Sequence, residues 1–138
     1  VALVVLFLMQ WACSPAPALR LSGGWIREAP PGSMHLAAYF ELHNTLAETV
    51  TLTGASSASF ASVEFHETRM ENGVARMRPT GDIPIRPGET LSLQPGAMHL
   101  MLMNPSRELG AGVTVKLLLH FADRADLRAD LPVRKAGD

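Results

Sequence analysis

The sequence predicts an all-β domain, an antiparallel sandwich of Greek-key topology. Three observations carry that reading. Apolar and polar residues alternate with a period of two in several segments, turn dipeptides recur every several residues, and no stretch shows a long amphipathic pattern of helical period. Taken in order, Gly24 to Glu28 reads as a short strand closed by the Pro30-Pro31-Gly32 turn. Ala37 to Asn44 is a half-buried strand, with Ala38, Phe40 and Leu42 on one side and Tyr39, Glu41 and His43 on the other. Val50 to Thr53 and Ser62 to Met70 read as extended, and Ala97 to Asn104 lies between the turn signals Pro95-Gly96 and Asn104-Pro105. Val113 to Phe121 sets Val113, Val115, Leu117, Leu119 and Phe121 on one face, and Leu127 to Val133 supplies a last strand.

Composition narrows the function classes. The 138 residues suit one domain with a sizeable core. Twelve basic against thirteen acidic side chains leave a net charge of −1, which removes the basic field that nucleic acid or an anionic membrane surface would call for. A single cysteine excludes a disulfide framework, a zinc ribbon and a CxxC redox centre. Seven methionines stand out in so small a chain.

Val1 to Met9 is an unbroken apolar run. It falls short of the about 20 residues that span a bilayer but fits the apolar core of a secretory signal. Residues 1–18 therefore read as an export segment, and 19–138 as one mature domain without a transmembrane segment. Two processing readings stand: Ala16-Pro17-Ala18 offers small residues to a signal peptidase, and Ala12-Cys13 offers a lipoprotein site with Cys13 as the lipid anchor. Either places the protein in the periplasm or another extracytoplasmic compartment.

Two segments carry chemistry. In Ser62 to Pro79 the dipeptide Asn72-Gly73 marks a tight type I′ hairpin turn, since both residues tolerate positive φ. With those two residues as the loop, Thr68 faces Met77, and His66 lies on the same face, diagonal to Met77 and within side-chain reach of it. A three-residue loop would reverse this parity. In Ala97 to Asn104, His99, Met101 and Met103 project to one side, and Met98, Leu100 and Leu102 to the other. His66, Met77, His99 and Met101 together offer imidazole and thioether, donors suited to a soft cation such as Cu(I). Thioethers need no deprotonation and form no disulfides in an oxidising compartment. A single methionine is more often core filler, and a single strand histidine is more often solvated. The conjunction of two histidines and two methionines on shared faces is what outweighs those readings.

The spacing His66, ten residues, Met77, twenty-one residues, His99, one residue, Met101 resembles the H-x10-M-x21-H-x-M signature of the PCu(A)C-type periplasmic copper chaperones. The flanking text VEFHETRMENGVARMRP, IPIRPGETLSLQPGAMHLMLMNP and WIREAPPGSMHLAAYFELHN is similar to the family as well, so the resemblance covers roughly residues 24 to 133. It implies a cupredoxin-like Greek-key β-sandwich and one Cu(I) per chain, held by His66, Met77, His99 and Met101. It also implies delivery of copper to a copper-acceptor protein of respiratory oxidase assembly, at the CuA-type centre. Because neutral thioethers are weak individual donors, the transfer is expected to proceed by ligand exchange. A monomer is expected. Met70, Met98 and Met103 match no ligand position and default to packing, although Met103 shares the ligand face.

Other classes have less to stand on. A blue-copper electron carrier needs a cysteine thiolate beside two histidines, and Cys13 lies in the export segment. No nucleophile elbow, phosphate loop or catalytic triad pattern is present, so an enzyme is not expected. A secreted copper store or an adhesive β-sandwich without delivery is the alternative reading. His43 and His120 read as solvated, His35 as an exposed loop residue (a secondary copper contact, with Cu(II) included, being the alternative), and Glu67, Arg69, Arg76 and Arg78 as the solvated face of the hairpin.

Overall fold

The computed structural model describes residues 16–137. The export segment expected over residues 1–18, with Cys13, lies almost wholly outside the described residues. Ten strands follow: β1 (Leu19–Arg27), β2 (His35–Asn44), β3 (Val50–Ser56), β4 (Phe60–Glu71), β5 (Val74–Pro79), β6 (Ile83–Ile85), β7 (Thr90–Leu93), β8 (His99–Pro105), β9 (Thr114–Phe121) and β10 (Leu127–Arg134). The class is all-β, as the alternation predicts, and the architecture is the cupredoxin-like sandwich. No helix among the described residues is long and apolar enough to cross a membrane.

One layer runs β5-β4-β8-β2-β1, and the other runs β10-β9-β3-β6. Strand pairing is antiparallel except where β1 meets β10, a short parallel pairing of Ile26 with Val133 and Arg27 with Arg134 that joins the layers. Strands β8 and β7 share one edge of β2, with β8 along His35 to Ala38 and β7 along Phe40 to His43.

The core lies between the layers. Leu36, Ala38, Phe40 and Leu42 of β2, Phe65 of β4, and Leu100 and Leu102 of β8 meet Val115, Leu117, Leu119 and Phe121 of β9 and Leu131 and Val133 of β10, all buried. Each fully buried Leu, Val or Phe contributes roughly 1.5–3 kcal/mol relative to exposure. This inner face fixes the outer one, because side chains alternate along a strand. With Leu100 and Leu102 in the core, His99, Met101 and Met103 must face out.

Two departures from the expected elements have local causes. Strand β1 begins at Leu19, well before Gly24, because Gly23-Gly24 is a bulge within the strand rather than its boundary: the register to β2 shifts between Ser22 and Trp25, and Gly23 has φ of +61°. Gly24 permits close packing, since a Cβ there would lie 2.2 Å from Leu131 Cδ2. Strands β6 and β7 are only three and four residues long, too short for an alternation pattern to stand out.

Candidate metal centre

The hairpin comes first. Asn72 and Gly73 have φ of +52° and +78°, and β4 pairs with β5 from Glu71–Val74 through Thr68–Met77 to His66–Pro79. The loop is therefore the two-residue turn, and the parity that puts Met77 on the His66 face holds. On the other face Glu67 pairs with Arg69, and Glu71 with Arg76 and Arg78 at 3.4 and 2.8 Å. The hydrogen bond from Arg69 holds the Glu67 carboxyl below its ordinary value, and Glu67 raises Arg69 in return. These charges are solvent-exposed, so the pairing contributes little to stability.

Long-range pairing then brings the two segments together. Strand β4 lies antiparallel to β8 with His66 opposite His99, Glu64 opposite Met101 and Ser62 opposite Met103. The rings of His66 and His99 have centroids 6.1 Å apart at an interplanar angle of 48°. Met101 sits two residues from His99 on the same strand and diagonal to His66, so the register sets these three residues as neighbours on one face. Met77, on the Thr68 rung, approaches His66 from the opposite end and from the outer strand β5, and is 60% exposed. The two thioethers thus flank the histidine rung rather than sharing one side of it.

The hydrogen bonding of the two rings is decisive for their chemistry. His66 Nε2 lies 3.0 Å from Glu64 Oε2. A carboxylate only accepts, so Nε2 carries the proton and Nδ1 keeps its lone pair. His99 Nδ1 lies 3.1 Å from the Ala97 carbonyl, which places the proton on Nδ1 and the lone pair on Nε2. Among the described residues, His66 Nδ1 and His99 Nε2 are the buried side-chain polar atoms that find no hydrogen-bond partner. Buried polar atoms are ordinarily paired, and a ring tied at one nitrogen with a bare lone pair at the other is the arrangement of a metal-ligating histidine. The ring separation matches two nitrogens serving one ion at bonds of about 2 Å each.

His99 is 4% exposed although it faces outward from the sandwich. Tyr39 lies one residue beyond the Ala38–Leu100 pair on the same face, and its ring is 5.0 Å from that of Trp25, so an aromatic wall borders the histidine. No three His, Cys, Asp or Glu side chains converge as a metal site among the described residues. A centre here must draw on methionine sulfur, which selects a soft ion. A groove of about 880 Å³ between Pro30-Pro31 and Leu109 is lined by none of the four residues.

Sequence reasoning missed Glu64 and the Ala97 carbonyl. The signal for Glu64 was its place two residues before His66, on the same strand face. His43 and His120 are hydrogen-bonded rather than free, His43 to Thr90 at 2.7 Å and His120 to Ser56 at 2.8 Å and Asp126 at 2.9 Å. Met98 packs against the core as expected, whereas Met70, which the sequence also assigns to packing, is 69% exposed on the hairpin.

The family described as "Putative lipoprotein LpqE-like" matches residues 19–133. The chain belongs to the LpqE-like family. Its relatives include the Leifsonia xyli subsp. xyli protein Lxx21020, which carries the same lipoprotein description and is 33% identical over 120 residues, covering 86% of this chain and 71% of that protein. RP573 of Rickettsia prowazekii is 30% identical over 110 residues, and there the match spans 74% of this chain and 60% of that protein. Among solved structures, this LpqE-like chain resembles the copper-bound PCuAC domain from PmoF2 with a TM-score of 0.72 at 22% identity, covering 88% of this chain and 97% of that domain, a likeness of fold. It also resembles the solution structure of CuI-DR1885 from Deinococcus radiodurans, with a TM-score of 0.65 at 28% identity, covering 91% and 84%. The resemblance to PCu(A)C-type domains therefore stands over the 88–91% of the LpqE-like chain that these structures cover.

Proposed function

We propose that this protein is an extracytoplasmic Cu(I) carrier. It holds one cuprous ion per chain through His66 Nδ1, His99 Nε2 and the thioethers of Met101 and Met77, and passes it to a copper-acceptor protein of respiratory oxidase assembly. The observation that carries the reading is the pair of buried, unpartnered ring nitrogens on facing histidines, with methionine supplying the further soft donors on that face among the described residues. DR1885, solved as its Cu(I) form, supports cuprous ion as the cargo. The lipoprotein description shared by the family and Lxx21020 supports an extracytoplasmic location.

Release follows from the exposure of Met77. Neutral thioethers are soft donors that can be displaced one at a time, and Met77 on the outer strand is the one an incoming ligand meets first. The histidines and Met101 retain the ion while Met77 swings away, and the acceptor then completes the exchange. The protein carries the ion rather than performing redox catalysis, and it acts as a monomer with no nucleic acid involved.

Anaerobic Cu(I) titration with X-ray absorption at the copper edge tests the site. One tightly bound ion per chain with mixed nitrogen and sulfur scattering is expected, and oxygen-only ligation would overturn the assignment. Transfer to an apo CuA-type acceptor domain tests delivery. A protein that binds Cu(I) in this way but keeps it in the presence of every such acceptor is a store.

A further inference from the structure

We infer that the ligand face carries a second, weaker Cu(I) subsite formed by His35 and Met103, joined to the first through Met101; this rests on the carrier reading above. His35 at the start of β2 lies directly opposite Met103 on β8. The Asn104 N–H donates to the Met34 carbonyl at 2.8 Å, just outside this pair. His35 and Met103 are therefore a non-hydrogen-bonded rung, the kind in which opposed side chains stand closest, with Cα atoms about 4.5 Å apart. An imidazole and a thioether on such a rung can meet at one atom.

Both side chains are available for that task. Leu36 and Leu102 on the neighbouring rung are buried in the core, so His35 and Met103 face outward, and packing between the layers does not account for Met103. The ring of His35 is exposed and makes no hydrogen bond among the described residues, while Ser33 Oγ accepts from the His35 N–H at 3.4 Å and donates to its carbonyl at 3.0 Å, steadying the backbone there. Met101 lies on the same face between the two groups, opposite Ala37, about 7 Å along the strand from Met103 at the usual rise. Ala37 leaves that stretch of the face low. The outward side chains of β8 thus run His99, Met101, Met103 as a line of soft donors, with a histidine across from each end: His66 on β4 and His35 on β2.

The subsite has two protein donors where the first has four, so it fills second and releases first. Its place at the far end of the line makes it a staging position for an ion leaving or approaching the histidine rung. Neither donor needs an acidic partner, in keeping with a univalent soft ion.

The test is anaerobic titration of the protein with Cu(I), up to two equivalents, followed by NMR of methionine methyl groups and histidine ring protons. The first equivalent should move His66, His99 and Met101. The second should move His35 and Met103, with at least about tenfold weaker affinity, and leave Met70 in place. The H35A/M103L variant, one exposed and one volume-conserving change, should keep the first step and the thermal midpoint but lose the second step. A second step that survives in this variant, or that moves Met70 instead of His35 and Met103, overturns the subsite while leaving the carrier reading intact. A first equivalent that leaves His66 and His99 unmoved overturns both.

Discussion

His66 and His99 face each other across β4 and β8 with ring centroids 6.1 Å apart, each tied at one nitrogen to an acceptor and bare at the other. The two residues are far apart along the chain and adjacent only through the β4–β8 register. Most of the expected behaviour of this protein follows from that rung.

Replacing either histidine with alanine should weaken Cu(I) binding by about a hundredfold or more, because the bare nitrogen opposite is left with half its partner set. Circular dichroism should show the β-sandwich intact in both variants. Competition with a chromophoric Cu(I) chelator measures the loss, and affinity preserved in H66A/H99A would remove the centre proposed above.

Glu64 accepts from His66 Nε2 and stands outside the proposed ligand set. Outer partners of this kind typically account for 10–100-fold in metal affinity. Glu64→Ala should therefore cost about tenfold or more, whereas Glu64→Gln, which still offers an oxygen to the Nε2 proton, should recover part of it. Glu64 is 49% exposed, so the thermal midpoint should hardly move in either variant. Equal affinity in all three proteins would show that the Glu64 contact does not orient the ring.

The two thioethers should differ in kind. Met101 is a register neighbour of both histidines on the same face, and Met101→Leu should lower equilibrium affinity. Met77 is exposed on the outer strand, and Met77→Leu should act mainly on exchange kinetics, changing the rate of transfer to an acceptor more than the affinity. Stopped-flow transfer with a second chelator separates the two effects; identical kinetic and equilibrium losses in both variants would contradict the assignment.

Asn44 is a structural counterpart to the centre. It is fully buried, donating from Nδ2 to the carbonyls of Glu48 at 2.8 Å and Ile85 at 2.9 Å and accepting from the Leu46 N–H at 3.0 Å. Asn44→Ala strands these backbone groups, each at about 1–3 kcal/mol when buried. Urea denaturation should show a loss of about 3 kcal/mol with an unchanged m-value, while Cu(I) affinity of the folded protein stays the same.

Bound Cu(I) should in turn stabilise the fold. An ion held only by the native state adds about 2.7 kcal/mol at a free concentration a hundredfold above Kd. The thermal midpoint should rise by several degrees in the wild type and by clearly less in H66A/H99A, which keeps only the weaker His35–Met103 subsite. An equal rise in both would place the stabilising ion elsewhere.

Much of this was legible in the residues themselves. Alternation in β2, β8 and β9 and the Asn72-Gly73 turn identified the strands, their inward faces and the side of the hairpin that carries His66 and Met77, because these depend on neighbours within a few positions. The bulge at Gly23-Gly24 escaped, since glycines that interrupt a strand look locally like glycines that end one. The pairing of His66 with His99, the contact of Glu64 with the ring and the rung of His35 with Met103 were decided by the tertiary structure alone. The physical reason is register. A slip of one residue between strands would turn Phe65, Leu100 and Leu102 out of the core, so burial of the inner face selects a single alignment and thereby sets which outer side chains meet.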